Sequence, residues 1–392
     1  MFGDYVAVFT LPYFVLSLTG KALDLGLTAA FETLPMLLFG FIAGVFLDRR
    51  RRLVPVLAAA DLLRASIFVL LALAAIADAG TPTLVFGLAF ATGSLSVVFD
   101  SGLQAAMPGL LEDHMLVDAN SKLALARTTV FALGPLVAGF AISATNGFAI
   151  AFTLNAATFV VSALFLSTTR VVRHRETRRR ESFLRSIAEG IRFLLADRRL
   201  RWATLGGAVT NLVFAPLEAL LIFFVATEIL ATDVSGFALT GDGLRLGVYF
   251  SLQALIGALG VTFAPRLTKR MSLGRLYVLG LTFFGAGFFV VALWHSYWSV
   301  LFAGAGVAGI TWVNVGLSTL RQRLTPPHLL GRVISASRTI AYTGLPVGAA
   351  VGGFVADRIG VVPVYVFGSA MVLVVSGVLV NTELFRADRL DD

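Results

Sequence analysis

Long apolar blocks, each roughly 18–25 residues, alternate along the chain with short breaks that carry most of its charge. A block of that length crosses the ~30 Å hydrocarbon layer of a bilayer as a helix. Lipid offers the backbone no hydrogen-bonding partner, so such a segment must satisfy its own N–H and C=O groups, and a helix does this internally. Of the 392 residues, 57% are hydrophobic and 14% are charged, and the mean hydropathy is +0.87. Soluble domains run at about 45–50% apolar and about 25% charged. A soluble enzyme, a secreted disulfide scaffold and a disordered chain are excluded. The blocks predict an all-α integral membrane protein with twelve transmembrane helices, at about 2–18, 25–47, 53–77, 83–106, 122–144, 147–168, 202–226, 244–264, 276–296, 298–320, 333–355 and 361–381.

Arginine sets the expected orientation. Arg49, Arg50, Arg51 and Arg52 follow the second span, and eleven arginines from Arg170 to Arg201 fill the break after the sixth. Arg266, Lys269, Arg270 and Arg275 join spans 8 and 9, while Arg321, Arg323 and Arg332 join spans 10 and 11. The alternate breaks hold few cations, so the positive-inside rule places both termini in the cytoplasm. The break at Glu112, Asp113, Asp118 and Lys122 is the weak vote. A net charge of +8 and a pI near 10.3 therefore reflect membrane orientation, and no nucleic-acid partner is expected. Met1-Phe2-Gly3-Asp4 has no basic n-region or cleavage site, so no signal peptide is expected.

Several chemistries are closed to this sequence. Cysteine is absent, and His114, His174, His295 and His328 are far apart. No metal site and no cofactor are expected. No phosphate-binding loop, catalytic triad or paired-carboxylate hydrolase motif is present, so the chain is not expected to be an enzyme or to drive transport with ATP.

The break at 169–201 divides the chain into two halves. The expected organisation is a six-helix bundle over 1–168, a linker over 169–201, a second bundle over 202–381 and a cytoplasmic tail over 382–392. Within the linker, Phe183, Ile187, Ile191 and Leu194 recur at helical spacing opposite Arg185, Glu189 and Arg192. That stripe reads as an amphipathic helix lying in the membrane interface as a tether. The halves resemble one another. Leu25-Gly26, Glu32 and Leu34 correspond at one offset to Leu246-Gly247, Gln253 and Leu255, and Arg127-Thr128 with Pro135 correspond at another to Arg338-Thr339 with Pro346. Two six-span units of matched orientation indicate parallel repeats, with a substrate site expected where the repeats meet.

Gly40-x3-Gly44-x3-Asp48-Arg49, followed by Arg50, Arg51 and Arg52, closes the second span. Glycines four apart leave a side-chain-free strip for another helix, and the alternative reading is a plain dimerisation face with a charged stop. Here the sequence resembles the major facilitator superfamily, whose signature at this place is Gly-x3-Asp-Arg-x-Gly-Arg-Arg; Arg51 replaces its second glycine. The resemblance implies that Asp48, Arg49 and Arg52 latch a cytoplasmic gate in the outward-open state, with Gly44 on the helix face that leads to them. The family's tight turn does not carry over, because Arg51 stands at its glycine. The second half lacks the carboxylate at the matching place, Gly260 to Arg266, and Gly353-x3-Asp357-Arg358-x-Gly360 falls on the outer side as a small-residue helix face.

Gly134, Pro135 and Gly139 in the fifth span are similar to a shortened antiporter motif of the same superfamily, which implies export. Gly3-Asp4-Tyr5, Ala106-Met107-Pro108 with Ala119-Asn120, Glu189-Gly190-Ile191-Arg192-Phe193-Leu194, and Pro326 with Gly331-Arg332-Val333 add a distinctive series. Together they resemble the branch of drug:proton antiporters that includes macrolide-efflux proteins and the enterobactin exporter.

Ionisable groups inside spans are costly unless paired or hydrated, so each is a candidate for function. Asp61 and Arg64, three residues apart, read as a local ion pair. Asp100, Arg127 and Arg338 lie near helix ends, where structural pairing or snorkelling accounts for them. Glu32 and Glu218 have no opposite charge three or four residues away and are the leading proton-coupling candidates, with a neutral acid hydrogen-bonded between helices as the alternative. Asp4, whose alternative is an interfacial position, and Asp100 follow. Asn211 and the carbonyl freed by Pro216 are expected partners of Glu218. Tyr13, Phe99, Asn211, Phe214, Trp312 and Asn314 are candidates to line a substrate cavity, with lipid-facing positions as the alternative for the aromatics.

These features predict a monomeric secondary exporter in a bacterial cytoplasmic membrane, in contact with lipids, a small amphipathic or hydrophobic substrate and protons. A dedicated siderophore or metabolite exporter is the alternative. A membrane-embedded non-transport protein would not need isolated carboxylates in its spans.

Overall fold

The computed structural model describes residues 2–48, 53–110, 116–144, 147–169, 183–231 and 242–386. Every regular element among them is helical. The first half comprises α1 (Phe2–Thr19), α2 (Ala22–Asp48), α3 (Val54–Ile76), α4 (Pro82–Leu110), α5 (Leu116–Ile142) and α6 (Gly147–Thr168). A short α7 (Phe183–Ala196) precedes α8 (Arg198–Ala219), α9 (Leu221–Phe224), α10 (Gly243–Arg270), α11 (Leu273–Leu293), α12 (Val300–Leu324), α13 (Pro327–Tyr342), α14 (Gly344–Ile359) and α15 (Val361–Val380). Among the described residues, eleven helical segments are long and apolar enough to cross a membrane, or twelve if the bent α8–α9 pair is one span.

Helix α3 shows the inverted pattern that lipid imposes. Leu62, Leu63, Val69, Leu70 and Leu73 are exposed, whereas Asp61 and Arg64 are buried with Leu57, Phe68 and Leu71. In water the charges would face outward; in hydrocarbon they must be inside and paired.

Two of the expected spans are broken. The segment expected at 202–226 bends by 46° between α8 and α9 and ends in a π-helical turn, Val225–Ile229. Pro216 weakens the ladder there, because a proline inside a helix removes one N–H donor. The span expected at 333–355 runs from Leu329 to Ile359 and is divided at Thr343 between α13 and α14. Arg321, expected in a loop, lies within α12 and is buried, and Arg332 lies within α13.

The chain forms two compact units. The first contains α1 to α6 and also Val225–Thr227 and Ala231–Ser251, so the opening turns of α10 belong to it. The second contains α7, α8 and most of the remainder. Helix pairing recurs from one unit to the other. In the first, α1 packs on α5 and α6, and α3 on α6; in the second, α8 packs on α13, α14 and α15, and α11 on α15. The repeat extends to single atoms. Gly93 of α4 sits directly against the backbone carbonyl of Glu32, and Gly304 of α12 faces the carbonyl of Gln253, which would lie 3.2 Å from a Cβ at that glycine. Glu32 and Gln253 are the pair that the sequence offset aligns.

Helix α7 is present where the amphipathic stripe predicts it, and one of its faces is used for packing on protein. Gly190 and Leu194 are buried, Gly190 lies against the backbone of Arg332, and the Glu189 carboxylate accepts from the Arg332 guanidinium. Two separate motifs of the sequence thus meet on α13.

Candidate coupling and gating residues

The first unit holds a charge cluster that spans four helices. Arg64 Nη1 donates to Asp4 Oδ1 of α1 at 2.7 Å, and Nη2 donates to Asp61 Oδ1. Ser162 of α6 donates to the other Asp61 oxygen. The guanidinium lies between two rings, 4.5 Å from the centroids of Phe99 on α4 and Phe159 on α6. Arg64 and Asp61 are each 1% exposed, and Asp4 is 33% exposed. Counting along α3 from Val54, Arg64 is ten residues in, or about 15 Å at 1.5 Å per residue. That depth is the middle of a ~30 Å hydrocarbon layer.

The expected local pair is therefore one side of a three-residue network, with two carboxylates on one guanidinium. Asp4 and Arg64 are 60 positions apart, and spacing alone cannot join them. Gly3 supplies the missing signal, since a Cβ there would lie 2.5 Å from Asn155 Oδ1 and from Thr158 Oγ1. Its absence lets the start of α1 close onto α6, beside the cluster. Asp100, exposed, lies 3.8 Å from Arg127. Glu32 is half-buried and lies where α2 meets α4.

A second close approach in this unit involves the Gly134–Gly139 motif. A Cβ on Gly134 would lie 2.9 Å from the Cβ of Tyr5, and a Cβ on Gly139 would lie 2.9 Å from Gly247 Cα and closer still to the Gly243 carbonyl. A Cβ on Gly247 would in turn lie 2.5 Å from the Pro135 carbonyl. Just past the end of α5, Ser143 Oγ accepts from the Leu244 N–H at 2.8 Å and satisfies one of the free donors that open α10. Small residues on both helices and a capping hydroxyl hold α5 against the first turns of α10.

In the second unit, Glu218 is the penultimate residue of α8, directly before the bend. It is exposed within its span, and among the described residues no hydrogen bond or ion pair reaches its carboxylate. Asn211, the expected partner, instead donates from Nδ2 to the Ala341 carbonyl at 3.0 Å. Pro216 leaves the Leu212 carbonyl without its helical donor, and Gly348 packs directly on that carbonyl. Gly344 and Gly352 continue the contact toward Leu212 and Pro216. The Tyr365 hydroxyl donates to the Leu217 carbonyl at the break. The ends of the bend are braced, and the carboxylate on it is not.

The other sequence candidates are placed as follows. Tyr13 is fully buried with its ring edge toward Phe148, and Phe99 covers Arg64. Phe214 contacts Phe284 at 5.5 Å. Trp312 is buried, and its indole N–H donates to the Gly260 carbonyl at 2.8 Å, so it fastens α12 to α10. Asn314 is exposed. Asp48 is the last residue of α2, and Arg49 and Arg52 lie outside the described residues. Asp357 is exposed and Arg358 stacks on Phe354 at 5.0 Å, on the small-residue helix α14.

Comparison with known proteins agrees with this architecture. The family model for transmembrane secretion effectors matches residues 1–392. The multidrug efflux pump Tap of Mycolicibacterium fortuitum is 26% identical over 371 residues, covering 91% of this chain and 87% of Tap. Tap of Mycobacterium tuberculosis is 25% identical over 384 residues, covering 91% and 84%. Among solved structures, the nucleoside transporter NupG superposes with a TM-score of 0.73 at 11% identity, covering 96% of each chain. A bacterial homologue of the lysosomal transporter Spinster, inward-facing and occupied, gives 0.69 at 13% identity over 96% of this chain and 94% of that one. The solved structures share the fold at low sequence identity. The chain is a multi-pass membrane transporter, not an enzyme, and belongs to the transmembrane secretion effector family of the major facilitator superfamily.

Proposed function

We propose that the chain exports small amphipathic or hydrophobic molecules from a bacterial cytoplasm by alternating access, driven by inward proton flow, as a monomer with both termini inside. The observation that carries this reading is Glu218, a carboxylate within a membrane span that is exposed at the protein surface and, among the described residues, has no cation to balance it. A paired carboxylate must break its ion pair to take a proton; Glu218 can load and release one without that cost. Its place directly before the 46° bend of α8–α9 links protonation to a segment whose geometry is already broken. Export, and not uptake, is supported by the Gly134–Gly139 motif and by the name of the relative Tap, a multidrug efflux pump.

The test uses the full chain in proteoliposomes, with ethidium as the amphipathic probe. Glu218→Gln keeps the shape and hydrogen-bonding capacity of the side chain but cannot carry a proton. Uphill ethidium export under an imposed pH gradient is expected to stop while ethidium binding survives. Uphill export at the wild-type rate would remove Glu218 from the mechanism and bring Glu32, Asp4 and Asp100 forward.

A further inference from the structure

The second unit contains a buried cation for which, among the described residues, neither the fold nor the proposed transport cycle provides a counter-ion. Arg321, in the last turn of α12, is 8% exposed. Its Nε is buried and makes no hydrogen bond, and among the described residues no ion pair reaches the guanidinium. One helical turn further on, Thr325 is 4% exposed, and its Oγ1 is likewise buried without a partner. The two residues are tied by their backbones, with the Thr325 N–H on the Arg321 carbonyl at 3.1 Å.

Among the described residues, the surroundings add positive charge and no carboxylate. The ionisable groups among the described residues that act on Arg321 are Tyr277 of α11 and Tyr342 and Arg338 of α13. Tyr277 is fully committed to structure, since its hydroxyl donates to the Ala203 carbonyl at 3.0 Å. Arg338 is exposed and rests over the Tyr342 ring at 5.5 Å. Arg321 and Thr325 stand one turn apart at the end of α12, Arg338 of α13 acts on Arg321 electrostatically, and no carboxylate among the described residues does so.

A guanidinium removed from water without a counter-ion is strongly disfavoured, and a second one nearby increases the penalty. Structural arginines in the same chain show the usual solution: Arg64 has Asp61 and Asp4, and Arg332 has Glu189. Arg321 departs from that pattern. Planar guanidinium donors match the oxygens of a carboxylate or phosphate in pairs, and a threonine hydroxyl supplies a further donor. We propose that Arg321, Arg338 and Thr325 form an anion site in the second unit, which takes a carboxylate or phosphate group.

That chemistry has two sources, a soluble anion or the headgroup of an anionic lipid, and the experiment separates them. Full-length protein in phosphatidylcholine nanodiscs is titrated with inorganic phosphate at constant ionic strength, with chloride as the reference, and its melting temperature is followed. A parallel series replaces part of the phosphatidylcholine with phosphatidylglycerol. The variants are Arg321→Gln, Arg338→Gln and, as a surface control, Arg198→Gln, whose residue is exposed and pairs with Glu383 at 2.8 Å.

Phosphate is expected to stabilise the wild type and Arg198→Gln. Removing one charge-assisted contact should weaken its binding about tenfold or more. Stabilisation by phosphatidylglycerol alone, lost in the same two variants, supports the site and assigns it to a lipid headgroup. No stabilisation by either source, or stabilisation that persists in both Arg321→Gln and Arg338→Gln, overturns it. Should Arg321→Gln fail to fold, Arg338→Gln alone decides between these results, since its residue is exposed. The site does not depend on Glu218, and Glu218→Gln should leave the phosphate response unchanged.

Discussion

Replacing Arg64 by glutamine removes the guanidinium that Asp61 and Asp4 share. Asp61, 1% exposed, then keeps only the Ser162 hydroxyl as a partner for a buried charge. Breaking a buried pair from one side costs about 3–5 kcal/mol, because the remaining charge is left unpaired. Asp4 is a third exposed, and its share of the network is screened, so Asp4→Asn should cost at most about 1 kcal/mol. The double variant Arg64→Gln with Asp61→Asn leaves two neutral amides and should recover most of the loss. At about 1–2 °C per kcal/mol for a chain of this length, the Arg64→Gln variant should melt roughly 5 °C below wild type and the double variant much closer to it. Tryptophan-fluorescence melts of the full chain in nanodiscs measure all four proteins. A single Arg64→Gln variant that melts with wild type, or a double variant as unstable as the single, would refute the reasoning.

Three further outcomes are expected. Gly139→Leu should stop transport, because even a Cβ there would lie 2.9 Å from Gly247 Cα, and overpacking at such a seam costs about 1–3 kcal/mol; normal ethidium efflux by a well-expressed variant would contradict the packing. Asp48→Asn should strongly slow efflux at normal abundance, while Asp357→Asn, on α14, should be much milder; equal effects of the two would remove the gate assignment. Reporters fused at positions 175 and 390 should be active inside the cell and one at 235 outside, and an inside reading at 235 would overturn the orientation.

The transmembrane helices are legible in the sequence because each apolar block must satisfy its own backbone in lipid, whatever its neighbours do. The repeat is legible for a related reason. Glu32 and Gln253 occupy matching packing positions, each facing a glycine of the helix it contacts, Gly93 and Gly304. Side-chain pairing between distant helices is what spacing does not reveal. Arg64 has a ready partner three residues away, so nothing in the sequence calls for Asp4. Asn211 lies near Glu218 in sequence but satisfies a carbonyl of α13. Arg321 reads as a loop residue because charge counting near span ends registers how many cations there are, not which of them are buried. The break after Glu218 has a visible cause in Pro216, but its 46° bend depends on α14 and Tyr365, which lie more than a hundred residues away.

Proton coupling is tested most directly by following protons themselves. In everted membrane vesicles with an acidified lumen, ethidium added outside should be taken up while protons leave, and a lumenal pH dye should report alkalinisation that requires this chain. The proton-coupled account predicts that response in wild type and its loss in Glu218→Gln. Ethidium accumulation with no accompanying proton release would contradict it.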